Sequence, residues 1–223
     1  MNPVSLVCIS VPKLKEFPNM TSEELIAYCA RVSNPANQAN LDTGPKLIRY
    51  LLKSKHWSPL EMLSMTLEIN TTRDIARQIL RHRSFSFQEF SQRYADPTKD
   101  LKFITKDARL QDTKNRQNSV ELDLTNDHDR QVAYQWEMIQ TRVIAEAKNA
   151  YEWAIAKGIA KEQARAVLPE GLISSRMYMN GTLRSWIHYI ELRSANGTQL
   201  EHQLIAKECA RVIADVFPMA ASL

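Results

Sequence analysis

Leu63, Met65, Leu67 and Ile69 alternate with Ser64, Thr66, Glu68 and Asn70. A period of two with one polar face predicts a β-strand that buries its other face. A weaker alternation through Val4, Leu6, Cys8 and Ser10 predicts an opening strand over 4–10. Between the two, helical spacing takes over. Thr21 stands three residues before Glu24 as in a capping box, and Leu25, Ile26, Cys29 and Ala30 follow on one face until Asn34-Pro35 stops the helix. Pro45 opens a second helix carrying Leu47, Ile48, Leu51 and Leu52; His56-Trp57-Ser58-Pro59 interrupts it, and Glu61 begins the central strand. Thr71 or Thr72 caps a third helix with Ile75, Ala76, Ile79 and Leu80. Residues 95–129 are polar and poorly periodic, a long excursion with one short strand through Val120, Leu122 and Leu124. From 130 to 157, Val132, Trp136, Ile139, Val143, Ala147, Ala150 and Ala154 recur every three or four residues, which predicts the longest helix, ended by Gly158. A helix over 161–167, a strand over 174–180 and helices over 183–193 and 200–217 follow. The pattern predicts an α+β fold: a single domain over 1–223 with a central, mostly antiparallel sheet flanked by helices, one of them long.

Composition narrows the class. With 44% hydrophobic and 24% charged residues the chain has an ordinary globular balance, which excludes disordered and fibrous classes. No apolar run approaches the ~20 residues of a membrane helix. Lys13, Lys15 and Glu16 stand where a signal peptide needs its apolar stretch, so the expected location is cytoplasmic. Cys8, Cys29 and Cys209 are scattered, with neither the pairing of a disulfide framework nor metal-ligand spacing. A net charge of +4 is too small to imply nucleic acid or a membrane surface as partner.

The distribution of that charge is more informative than its sum. Over the 22 positions from Arg73 to Tyr94, Arg73, Arg77, Arg81, Arg83, Arg93 and His82 face only Asp74 and Glu89. Arg73, Arg77 and Arg81 are four apart, so they share one helical stripe. Cations gathered this closely repel unless an anion sits among them. The plain alternative is a basic helix end favoured by the dipole, worth about 0.3–1 kcal/mol. A phosphate site suits the cluster better, because guanidinium forks match phosphate oxygens two at a time. Ser91 and nearby amides would complete such a cradle. Arg165, Arg184 and Arg193 recur later with His188, each of them singly a snorkelling or salt-bridged arginine.

Arg81-His82-Arg83, seven residues, then Ser91, with Glu89 before it and Arg93-Tyr94 after it, resembles the signature of the flavin-dependent thymidylate synthases. Further segments resemble the same family: Ala30 to Ser33, His56 to Glu61, Ala76-Arg77-Gln78, Ala164-Arg165 with Val167-Leu168-Pro169, and Leu183-Arg184-Ser185 leading to Leu192-Arg193. The resemblance implies a homotetramer that binds FAD in active sites built from several subunits. It implies reductive methylation of dUMP to dTMP, with methylenetetrahydrofolate giving the one-carbon unit and NADPH or NADH the reducing equivalents. No enzyme cysteine would attack the uracil ring. By position, Gln78, Arg81, Glu89, Ser91, Gln92, Arg93 and Arg165 would hold dUMP, and Arg193 would be the catalytic residue, touching the pyrimidine and favouring ionisation at N3. Ser33, Ser58, Glu61, Arg81, His82, Arg83, Gln88, Glu89, Arg184 and His188 would contact FAD, with His56 and Tyr94 on the folate and nicotinamide side. No metal is expected.

The sequence departs from the family pattern at Gln88, where asparagine is usual, at Thr182, where an asparagine is common, and at Gly197, where a histidine is common. Two other readings compete. One is a nucleic-acid or nucleotide-binding module that stacks bases on Phe85, Phe87 and Phe90. The other keeps the fold but binds only dUMP, without flavin, because the 194–198 segment is altered.

Overall fold

The computed structural model describes residues 3–218. Strand β1 (Val4–Ile9) is followed by helices α1 (Ser22–Ala30), α2 (Pro35–Gln38) and α3 (Gly44–Lys53), a 3-10 turn at Ser58–Met62, and strand β2 (Ser64–Thr72). Helix α4 (Arg73–Ile79), strand β3 (Ser86–Glu89), helix α5 (Pro97–Asp100) and strands β4 (Arg109–Gln111) and β5 (Ser119–Glu121) come next. Helix α6 (Asp127–Ala156) and helix α7 (Lys161–Ala164), which continues as a 3-10 turn at Arg165–Val167, lead to strand β6 (Ser174–Thr182). Helices α8 (Leu183–Ser194) and α9 (Leu200–Ala214) close the described chain.

The main sheet has the order β1-β2-β6-β3, antiparallel throughout, as the alternating pattern predicts. In the β2–β6 pair Leu67 faces Met179 and Ile69 faces Met177, all with no solvent exposure, while Glu68 and Tyr178 pair on the other face. The buried face packs against a core that takes Ile26 from α1, Ile48 from α3, Ile75 from α4, Trp186 from α8 and Cys209 from α9. Burying each large apolar side chain contributes about 1.5–3 kcal/mol, so this face fixes the register. A second core of Tyr151, Ala154, Ala164, Leu168 and Ile173 ties the C-terminal half of α6 to the segment that enters β6. The capping box holds: Glu24 N donates to Thr21 Oγ1 at 3.2 Å, and Thr21 N donates to Glu24 Oε2 at 2.7 Å.

The differences from the sequence reading are local. Glu61 lies in the 3-10 turn, because Pro59 shapes the chain there and β2 starts only at Ser64. Strand β3 adds an edge strand inside the arginine-rich segment, its Phe87 opposite Met179. The excursion holds a hairpin, β4 with β5, where Leu110 faces Val120. Asn126 caps α6 through its side chain, so that helix starts at Asp127, three residues earlier than the expected 130. The 161–167 segment divides into an α turn and a 3-10 turn, and α9 stops at Ala214 instead of reaching Phe217. Residues 1–2 and 219–223 of the expected 1–223 domain lie outside the described residues.

Candidate active site

The turn from β2 into α4 and the turn from β6 into α8 lie at opposite ends of the antiparallel β2–β6 pair, and both helices send side chains into the main core. Thr182 caps α8, accepting from Ser185 N at 3.3 Å, so the position that departs from the family pattern has a structural task here. Asn180 reaches Thr66 Oγ1 at 2.7 Å from the open face of the sheet.

Hydrogen bonds and ion pairs sort the expected site residues into four groups among the described residues. The first joins α4, the chain after it, and α8. Arg193 Nε donates to His82 Nε2 at 2.8 Å. The His82 ring meets Tyr189 edge-on, with centroids 4.9 Å apart. Burial, with the Arg193 and Arg81 charges, pushes the His82 pKa down to about 4, so at neutral pH its Nε2 is a bare acceptor. Gln78 enters the same group through Gln199 and His202: its Nε2 donates to Gln199 Oε1 at 2.8 Å, and its Oε1 lies 3.2 Å from His202 Nδ1. His202 is wholly buried, and burial, then the Arg193 and His82 charges, lowers its pKa to about 4 as well.

The second group centres on Glu89. Arg73 Nη1 lies 3.6 Å from Glu89 Oε1 and Arg77 Nη1 lies 3.5 Å from Oε2, and Ser175 Oγ donates to Oε1 at 2.8 Å. Glu170 takes the other side of the same arginines, 3.1 Å from Arg73 Nε and 3.5 Å from Arg77 Nη2. The anion that the arginine stripe calls for is thus partly the chain's own carboxylates. Arg81 lies beyond the end of α4, so it leaves the stripe, and with Arg83 it is exposed.

The third group pairs Arg184 with Glu61, and Ser58 stands exposed at the start of the same 3-10 turn. Trp57 meets His188 edge-on at 4.6 Å beside it. His56 is exposed and lies edge-on to Tyr50 at 5.8 Å. In the fourth group Glu162 Oε2 sits 3.4 Å from Arg93 Nη2, while its backbone carbonyl accepts from Arg165 Nε at 3.4 Å. The Arg93 guanidinium lies 5.9 Å from the Tyr94 ring centroid, and Ser91 Oγ accepts from Arg93 N at 3.4 Å. Gln92 is buried between these segments, and its Nε2 has no hydrogen-bond partner among the described residues. Ser33 and Gln88 are exposed and lie outside all four groups.

These donors fit an oxygen-rich, phosphorylated ligand. Exposed guanidinium groups at Arg81 and Arg83 and a buried amide donor at Gln92 have no acceptor among the described residues. Phe85 is buried against Trp186 at 4.9 Å, so it is no platform for stacking bases. Cys209 is fully buried and its thiol pKa is pushed up by burial, as is that of Cys29, while Cys8 donates its thiol to Thr66 Oγ1 at 3.3 Å. Gly197 has φ +89, a left-handed backbone that a histidine would adopt only with strain, and a Cβ there would come within 3.1 Å of Gln117 Oε1. The hairpin side of the molecule is therefore built for glycine at this position. A cavity of about 770 Å³ lies under that hairpin, lined by Arg109, Tyr134 and Leu200 among others, and holds none of the expected site residues. Sequence reasoning missed Glu170, Ser175, Tyr189, Gln199 and His202. Their signal is weak because none stands in a local motif: Ser175 and His202 lie among other polar residues, and the spacing does not single them out.

The fold is similar to that of the UMP/dUMP methylase PolB from Streptomyces cacaoi, solved with 5-Br dUMP, with a TM-score of 0.76 and 27% identity over 97% of this chain and 91% of that one. The family model described as thymidylate synthase complementing protein matches residues 17–219. The chain belongs to that family. A protein of Paramecium bursaria Chlorella virus 1 named probable flavin-dependent thymidylate synthase is 50% identical over 201 residues, covering 90% of this chain and 89% of that protein. The flavin-dependent thymidylate synthase of a Synechocystis strain is 47% identical over 203 residues, covering 91% and 89%.

Proposed function

We propose that this chain, as one domain over 1–223, catalyses the reductive methylation of dUMP to dTMP, with methylenetetrahydrofolate as one-carbon donor and NADPH or NADH as reductant. FAD bound at the site would relay two electrons, as hydride, to the methylene group that the folate delivers to uracil C5, leaving dTMP and tetrahydrofolate. The observation that carries this reading is that Gln78 and His82, from α4 and the chain just after it, meet Arg193 from α8: Arg193 donates to His82, and the Gln78–His202–Tyr189 hydrogen bonds join that pair through the His82–Tyr189 ring contact.

Arg193 is held through Nε by His82, which leaves its Nη groups for the pyrimidine. A fixed guanidinium beside the uracil carbonyls stabilises negative charge developing at N3, which makes C5 the better nucleophile. His82, neutral at working pH, adds no competing positive charge there. Arg81, Ser91, Gln92, Arg93 and Arg165 supply donors for the dUMP phosphate and sugar, with Gln78 and Glu89 completing that set. Arg184 with Glu61, His188 beside Trp57, and Ser33, Ser58, Arg81, His82, Arg83, Gln88 and Glu89 would hold FAD. His56 and Tyr94, both exposed, would face the folate and nicotinamide. No thiol is needed as nucleophile, and the burial of Cys209 supports that reading.

The reading includes a homotetramer with active sites shared between subunits, acting on small molecules in the cytoplasm with no nucleic-acid or membrane partner. Among the described residues no helix is long and apolar enough to cross a membrane. The exposure of Ser58, Arg81, Arg83, Arg93 and Tyr94 supports sharing, since these side chains lie open where a second subunit would enclose them. The test is a visible absorption spectrum of the purified protein after incubation with FAD and gel filtration. Retained flavin absorbance that shifts on adding dUMP is expected; no retained flavin, with dUMP present or absent, would overturn the flavin part of the proposal.

A further inference from the structure

The hydrogen bonds around Gln78 have only one consistent polarity. Glu201 Oε1 accepts from Arg109, so this carboxylate is ionised and can only accept. Its Oε2 lies 2.9 Å from the Gln199 side-chain amide, which must therefore turn its Nε2 toward Glu201 and its Oε1 toward Gln78. Gln78 must then present Nε2 to Gln199, at 2.8 Å, and Oε1 to His202 Nδ1, at 3.2 Å. His202 in turn must carry its proton on Nδ1 and accept at Nε2 from the Tyr189 hydroxyl, 3.1 Å away and buried with it. Burial also pushes the Tyr189 pKa well above its ordinary value, so the hydroxyl keeps the proton it donates.

A carboxamide and its flipped form have nearly the same shape but exchanged donor and acceptor. Left alone, Gln78 would present either one. We propose that His202 is a positioning residue that, together with Gln199, locks the Gln78 carboxamide in a single orientation toward the nucleotide. The inference rests on the reading above that Gln78 contacts dUMP, and adds what sets the polarity of that contact. His202 does so from the first turn of α9, with no exposure to solvent. Locking removes the fraction of molecules that would meet dUMP with donor facing donor.

Two substitutions separate positioning from packing. The side-chain amide of His202→Asn can stand where Nδ1 stands and still donate to Gln78, but it abandons Tyr189. That of His202→Gln reaches toward Tyr189 and abandons Gln78. The dissociation constant of dUMP is measured by calorimetry on the FAD-loaded full chain, alongside Gln78→Ala and the Gln78→Ala, His202→Gln double variant. His202→Gln is expected to weaken dUMP about fivefold, as for one neutral hydrogen bond. His202→Asn is expected to stay within about twofold of the parent while losing thermal stability through the unpaired Tyr189 hydroxyl. The double variant is expected to bind no more weakly than Gln78→Ala. Should His202→Gln fail to fold, Gln199→Ala removes the other anchor of the same amide and gives the same comparison. Loss of affinity in Gln78→Ala with none in His202→Gln, or losses that simply multiply, would overturn the inference alone. Unchanged dUMP binding in Gln78→Ala would overturn the substrate reading beneath it.

Discussion

Arg193 and His82 illustrate how two cationic side chain types can sit in contact. The guanidinium donates and the imidazole accepts, which requires the neutral ring that burial and the nearby arginines enforce. Arg193→Ala removes the group proposed to stabilise charge on the pyrimidine but touches neither core cluster. Its dTMP formation should fall by about a hundredfold or more, with an unchanged far-ultraviolet spectrum; near-parental turnover would remove the proposed role. The two histidines also set a pH dependence. In the unfolded chain each takes up a proton near its ordinary pKa of 6.5, while in the folded protein each stays neutral down to about 4. The unfolded state therefore binds more protons between those values, and stability is lost as pH falls from about 6.5 toward about 4. A urea midpoint that drops between about pH 7 and about pH 5 is expected; a flat midpoint over that range would show that the rings are not held neutral.

At the scale of elements, the sequence shows β2 most clearly and β3 least. Strand β2 with the residue before it offers four alternating apolar positions, Leu63, Met65, Leu67 and Ile69, enough for the period to stand out. Strand β3 spans four residues at a sheet edge, and its one phenylalanine, Phe87, sits in a segment whose arginines dominate the pattern. Helix lengths carried smaller errors of the same kind, since the cap at Asn126 and the 3-10 continuation at Arg165 depend on local hydrogen bonds and not on apolar spacing. The arginine cluster was legible as an anion site; that Glu89 and Glu170 occupy part of it was not, because Glu170 lies 97 positions from Arg73. One position on β6 shows how tightly edge and core meet. A Cβ on Gly181 would collide with the Phe85 ring that packs on Trp186. Gly181→Ala should cost about 1–3 kcal/mol in a denaturant titration, as overpacking of a core does; no loss would mean that Phe85 moves aside freely.

For the whole molecule, the long helix α6 divides into two halves. Ala147 and Ala154 of the predicted stripe are buried, with Tyr151 in place of the exposed Ala150, while Trp136, Ile139 and Val143 of the same stripe are 43%, 50% and 45% exposed. Apolar side chains recurring at helical spacing on a surface mark an interaction site. They are the face on which the proposed tetramer would build, and Ile139→Glu should shift the protein to smaller species in analytical ultracentrifugation while lowering dTMP formation at least tenfold, since the proposed site draws on neighbouring subunits. A tetramer that persists with full activity would place the interface elsewhere. Sites shared as proposed would also account for the expected site residues forming four groups instead of one enclosed pocket.

The central claim is flavin-dependent methylation of dUMP, and it is tested most directly by assaying dTMP formation with methylenetetrahydrofolate and NADPH or NADH, in the presence and absence of FAD. The account predicts dTMP with tetrahydrofolate as the folate product, and formation that depends on FAD. No dTMP from flavin-loaded protein, or equal formation by protein stripped of flavin, would contradict it.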